Sequence, residues 1–306
     1  DPDEPKDPET PHFIPAYSQK VKASKEFQTF QFDHSFVLNS LKSSMEGYVF
    51  HNQPLDTDDL LEQTVKLFNS CKTSLELFDM LHNMRAYDDS TYAHSLNVAL
   101  ICRRIGKWLK VDAATLDTLT LCGLLHDIGK LKIPDEILNK PGKYTDEEFD
   151  LVKRHTKFGY ELLKTLNIDP HIKKAALLHH ERCDGSGYPL KATQKDLDNF
   201  SMVVAIADVY DAMTAARSYR APLCPFQVIE RFEQEGLQKY KPKFILTFLQ
   251  HIASTYQNNR VLLSNGQSAN IVMLNQQHLA RPIVQLNDNS CIDLSTRLDL
   301  HIQSIL

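Results

Sequence analysis

The chain has 306 residues, a formal net charge of -5, 42 % hydrophobic and 24 % charged residues. That length holds one large domain, or a domain with a small partner, and the composition is ordinary for a globular fold. A mildly acidic chain has no general attraction for duplex nucleic acid, and no uninterrupted apolar stretch approaches the ~20 residues that cross a bilayer.

The first residue is Asp1 and not Met, so the expectation is a piece of a longer chain with room upstream for an anchored or sensory region, and no signal-peptide pattern is present. Cysteines at 71, 102, 122, 183, 224 and 291 form no C-x-x-C pair, and several sit in apolar helical patterns, which points to a reducing cytosol and a cytoplasmic location. Pro2, Pro5, Pro8, Pro11 and Pro15 alternate with acidic residues, so 1–16 is expected to be a flexible linker. A helical N-terminal segment over 17–86 follows, with Phe27, Phe30, Phe32, Phe36, Val37 and Leu41 as packing candidates. Helices are expected near Asp58 to Phe68 and from Ser74 to Met84, the latter opened by a Thr73 to Glu76 capping box.

From Thr91 to Leu109 an apolar face recurs with helical period, and His94 lies on that helix. Residues 113–125 form another helix, which ends at His126 and Asp127, with Lys130 in the turn beyond. Thr145 and Glu148 make a second capping box for a helix running to Leu166 that contains His155. Asp169-Pro170 starts a helix leading to His179-His180. Neighbouring residues on a helix point about 100° apart, so an adjacent pair converges on one point only at a helix end.

The segment 181–190 reads as a loop. Gly185 and Gly187 permit unusual backbone, and the Tyr188 ring is suited to stack on a base. Met202 to Ala216 is an apolar helix carrying Asp208 and Asp211; a carboxylate buried there requires a metal or a cation. Arg217 and Arg220 follow. Helices near Pro225 to Glu235 and Pro242 to Tyr256 precede a change of texture: short apolar runs at Val261 to Leu263, Ile271 to Leu274, Pro282 to Leu286 and Cys291 to Leu294 suggest a small antiparallel β unit over 258–306. Histidine and carboxylate ligands in two adjacent pairs suggest two metals in one pocket, with iron or manganese favoured and zinc compatible.

His126-Asp127-Ile128-Gly129-Lys130, then Ile133-Pro134-Asp135 and Lys140-Pro141-Gly142, resemble the first half of the HD-GYP signature, and His179-His180-Glu181 through Asp184-Gly185-Ser186-Gly187-Tyr188-Pro189 resembles the second. The resemblance implies a mainly α fold, an HD-GYP helical bundle over 87–257, here followed by the small antiparallel β unit. It implies one divalent metal under His94, His126, Asp127 and Asp208 and a second under Asp127, His155, His179 and His180, with Asp127 bridging. Ser90 stands where three-metal members have a glutamate, so two metals are expected. Asp127 and Lys130 are implied in catalysis, and Lys130, Gly187, Tyr188, Asp211, Arg217 and Arg220 in substrate contacts. The implied substrate is cyclic di-GMP, linearised to pGpG and on to GMP, or a relative such as cyclic GMP-AMP; a homodimer is compatible. The rival readings are a non-catalytic cyclic dinucleotide sensor and an HD-type nucleotidase, the latter leaving His155, His179 and His180 unexplained.

Overall fold

A computed structural model of the chain describes residues 16–84, 90–140, 142–215 and 223–306. The expected phosphate contacts Arg217 and Arg220 lie outside these residues. The chain is 61 % helix with one small sheet near its C-terminus, which is the expected fold class.

Local chemistry starts most of the helices. Helix α1 is Ala16–Ala23 and α2 is Lys25–His51, whose first turn is capped by Ser24. Asp56 caps α3 (Thr57–Ser70), and α4 (Ser74–Met84) begins where Thr73 Oγ1 accepts from Glu76 N. The reciprocal half of that capping box slips by one residue, since Glu76 accepts from Lys72 N. Ser90 caps α5 (Thr91–Trp108) and Asp112 caps α6 (Ala113–Leu125). Such caps satisfy amides that have no partner within the helix.

Beyond α6 come a 3₁₀ turn, Ile128–Lys132, and a short α7 (Asp135–Leu138). The helix expected from 145 to 166 is two: α8 (Asp146–Lys153), with both halves of its capping box formed, and α9 (His155–Leu163). At the break, Arg154 N bonds back to Leu151 O and the His155 ring takes Val152 O. A side chain competing for a backbone carbonyl is a local event that apolar periodicity does not reveal.

Asp169 caps α10 (Pro170–Leu178), with proline at its first position, and Asp198 caps α11 (Asn199–Thr214). Helices α12 (Pro225–Glu235) and α13 (Pro242–Thr255) lead to the sheet. Its strands β1 (Arg260–Leu263), β2 (Ser268–Met273), β3 (Ile283–Leu286), β4 (Cys291–Asp293) and β5 (Ile302–Ile305) lie antiparallel in the order β4-β3-β2-β1-β5. Strand β5 was not foreseen, because four residues at the chain end carry too little alternation. Val261, Ile271 and Val284 bury one face of the sheet, and Arg281 ties it to Glu230 of α12 at 2.7 Å.

Buried apolar side chains form a continuous cluster from Phe27 on α2 to Ile302 on β5. Its centre is the contact of α5 with α6, where a Cβ on Gly123 would lie 2.5 Å from Ala99 Cα. Only glycine lets the two backbones approach so closely. That contact puts the end of α6 beside the helix that carries His94. Among the described residues no helix is long and apolar enough to cross a membrane.

Candidate metal centre

Helix ends deliver most of the polar side chains. His126 is the C-terminal cap of α6, Asp127 opens the 3₁₀ turn, His155 is the first residue of α9, and His179 caps the end of α10 with His180 beside it. His94 and Asp208 come from the bodies of α5 and α11. The turn after Asp127 is packed hard against α9: a Cβ on Gly129 would sit 2.0 Å from His155 O. Gly129 therefore holds two site elements together.

The structure brings the seven expected ligands to one place. Single ligand atoms of Asp127, His155, His179 and His180 lie within 4.8 Å of one another, as do those of His94, His126 and Asp127. Asp127 belongs to both groups, with one oxygen for each: Oδ1 is 3.3 Å from His155 Nε2 and 3.6 Å from His179 Nε2, whereas Oδ2 is 3.3 Å from His126 Nε2 and 3.6 Å from His94 Nε2. Asp208 stands between the groups, Oδ1 3.0 Å from His94 Nε2 and Oδ2 3.7 Å from His180 Nδ1.

Backbone carbonyls set the tautomers. His126 Nδ1 donates to Gly123 O at 2.7 Å, His155 Nδ1 to Val152 O at 2.6 Å and His179 Nδ1 to Ala175 O at 2.9 Å. Each Nε2 is then a bare lone pair aimed inward. The Nε2 atoms of His155 and His179 are 3.2 Å apart, too close for two lone pairs unless an electrophile lies between or beside them. His126 Nε2 is buried with no hydrogen bond, and both Asp127 oxygens lack a hydrogen-bond donor of good geometry, Lys130 Nζ pairing with Oδ2 ionically at 2.5 Å. Nitrogen and oxygen donors in this arrangement fit divalent cations.

The electrostatics agree. Burial would raise the Asp127 carboxyl, but the Lys130 ammonium outweighs it and holds it well below the usual range. Burial holds His155 down to about 3, and burial with its histidine neighbours lowers His179 and His180. These rings are neutral and able to donate to a metal. His94 goes the other way: burial would lower it, yet its bonds to Asp208 and Asp211 raise it to about 9.

Two expected substrate contacts are placed elsewhere. Asp211 is 2 % exposed and its Oδ2 accepts from His94 Nδ1 at 2.8 Å, so it aims an imidazole instead of facing a ligand. Gly187 is buried too; a Cβ there would meet Glu181 Cα at 2.4 Å and His180 O at 2.5 Å. Tyr188 lies with its ring on that of His180, centroids 4.6 Å apart and 28° from parallel. Lys130 keeps a partly exposed ammonium beside Asp127.

Glu181 went unnoticed in the sequence. Only 2 % exposed, it accepts Leu190 N at 2.6 Å and Ala192 N at 3.0 Å, closing the loop that carries Tyr188. A glutamate inside a run of polar residues has no periodic signal; its position directly after His179-His180, at a helix end, was the available clue.

Comparison with known proteins agrees with this geometry. The family model described as "HD domain" matches residues 59–244, more than half of the chain. A cyclic di-GMP phosphodiesterase of Pseudomonas aeruginosa is 33 % identical over 207 residues, covering 67 % of this chain and 50 % of that protein. A cyclic di-GMP phosphodiesterase of Thermotoga maritima is 35 % identical, covering 57 % and 48 %, and a 3'3'-cGAMP-specific phosphodiesterase of Vibrio cholerae is 34 % identical, covering 59 % and 35 %. The chain thus spans half or less of the length of these relatives. A solved HDGYP-type protein from Bdellovibrio bacteriovorus shares the fold, with a TM-score of 0.59 at 19 % identity over 77 % of this chain and 78 % of that one. With its His-Asp pair, its histidines and its Gly-Tyr-Pro loop gathered at one centre, the chain belongs to the HD domain family, in its HD-GYP form.

Proposed function

We propose that this chain hydrolyses a phosphodiester bond of a cyclic dinucleotide, cyclic di-GMP foremost, and releases the linear pGpG. The observation that carries the reading is the paired arrangement of donors, one Asp127 oxygen toward each histidine group and two imidazole lone pairs 3.2 Å apart. His94, His126, Asp127 and Asp208 would hold one divalent cation, and Asp127, His155, His179 and His180 a second, with iron or manganese favoured by the donor set. Two cations held there would lower the pKa of a shared water and neutralise the leaving oxygen.

The protein's own groups do the rest. Asp127 is held ionised, well below the usual carboxylate range, because the Lys130 ammonium opposes the cost of its burial. Lys130, with its ammonium partly in solvent, reaches a phosphate oxygen or protonates the leaving one. Ser90 spends its hydroxyl capping α5, accepting from Ala93 N at 3.2 Å, so no third carboxylate enters from that position. Residues 87–257 carry this reaction, flanked by the helices of 17–86 and the sheet of 258–306. The names of the relatives supply the substrate class.

Product chromatography after incubating the manganese- or iron-loaded protein with cyclic di-GMP and, separately, cyclic GMP-AMP tests the reading, alongside elemental analysis. Linear product that disappears on chelation, with two metals per chain, is expected. Tight binding with no linear product would make the protein a sensor.

A further inference from the structure

The ring in the signature loop is poorly placed to receive a base. Tyr188 is half-buried, its face lies on His180, and the rings of His155 and Phe149 stand nearly perpendicular to it, at 6.5 Å and 84° and at 6.3 Å and 80°. Phe149 differs. It is 45 % exposed on α8, a helix fixed at its start by a complete capping box, and Lys153 one turn later sets its ammonium 5.0 Å from the ring centroid. A single exposed phenylalanine is unremarkable on a surface. This one touches a ring that is stacked on the candidate centre, whereas the exposed Phe32 and Phe36 sit on α2.

We propose that Phe149, and not Tyr188, is the platform on which a nucleobase of the cyclic dinucleotide stacks. Tyr188 is the spacer between that platform and the metal-binding histidines. With the phosphodiester over Asp127 and Lys130, the attached base reaches outward past Tyr188 to an exposed aromatic ring, one face of which lies under the Lys153 ammonium and the other of which is left for the base. Base stacking on an aromatic side chain corresponds to roughly 5- to 150-fold in affinity. The proposal rests on the cyclic dinucleotide reading above.

The test compares Phe149→Ala, Phe149→Leu and Phe149→Trp in the metal-loaded protein. The alanine and leucine variants are expected to raise KM for cyclic di-GMP by roughly 5- to 150-fold, with kcat, metal content and Tm unchanged, while tryptophan retains or improves KM. Leucine keeps the apolar bulk and loses the π face, so equal KM for leucine and phenylalanine overturns the stacking role. A second readout is spectroscopic. Trp108 is the sole tryptophan, so in a Trp108→Phe, Phe149→Trp protein the emission is expected to be quenched by cyclic di-GMP and not by ribose 5-phosphate; absence of quenching overturns the proposal. Turnover by the wild type with an unchanged KM in Phe149→Ala sinks this inference alone, whereas a wild type inert toward cyclic dinucleotides sinks the functional reading and this one together.

Discussion

Asp211 on α11 accepts a hydrogen bond from His94 Nδ1 on α5 at 2.8 Å, leaving His94 Nε2 for Asp208 and Asp127. A carboxylate behind a metal-facing imidazole fixes its tautomer and raises its basicity, and removing it costs 10- to 100-fold in metal affinity or activity as a rule. Asp211→Ala is therefore expected to weaken one cation by roughly that factor. Asp211→Asn, which still accepts through its amide oxygen, should lose less. Manganese titration resolves this, and two sites of wild-type affinity in the alanine variant would remove Asp211 from the assembly.

Asp127 is the one side chain shared by both ligand groups. Asp127→Ala should abolish turnover and leave less than one metal per chain by elemental analysis, since the shared carboxylate is lost from both groups and the group of His155, His179 and His180 keeps no anionic member. Retention of one fully occupied cation would show that the groups bind independently.

Chelated protein should be most stable near neutral pH, above the ordinary histidine value of 6.5 and below about 9, and lose Tm on both sides. As pH falls below the ordinary histidine value of 6.5, unfolded chains take up protons that His155, His179 and His180 refuse in the fold, so stability drops toward acid. His94 has the opposite sign: its folded value near 9 gives stability that is complete below 6.5 and lost as pH rises through about 9. Among the site histidines, three act on the acid side and one on the alkaline side, so the acid limb is the steeper. Thermal unfolding in chelator from pH 4.5 to 9.5 checks it; a Tm still rising at pH 5 would contradict the neutral state of the buried rings.

Glu181 holds the Gly-Tyr-Pro loop through two backbone amides. Glu181→Ala leaves both without their acceptor and should cost about 1–3 kcal/mol of stability, with faster hydrogen exchange at Leu190 and Ala192 and a higher KM for the dinucleotide. Metal content should stay at the wild-type level. Glu181→Gln, which keeps one acceptor, should fall between. Gly187→Ala should reproduce the loop defect, because its Cβ would lie 2.4 Å from Glu181 Cα. Unchanged exchange at both amides in Glu181→Ala would dismiss the clamp.

Much of this protein was legible in one dimension, since helix starts depend on neighbours three residues away. Thr145 and Asp169 cap their helices as short polar side chains do. Adjacent ligand pairs at 126–127 and 179–180 likewise require a helix end, and each has one. The two adjacent pairs were thus available from the string, His94 and Asp208 came from the resemblance to the HD-GYP signature, and the mainly α class with a small sheet behind it was legible as well.

Tertiary packing decided the rest. Whether Asp211 faces a ligand or backs His94 depends on how α11 lies against α5, a relation between residues 117 positions apart. Which nitrogen of His126, His155 and His179 points inward follows from a backbone carbonyl that only the folded helix end presents. The break at Arg154, the burial of Gly187 and the covering of Tyr188 by His180 arise the same way. Residue types and caps follow from local chemistry along the chain, whereas orientation comes from contacts between distant segments that exist only once the core has closed.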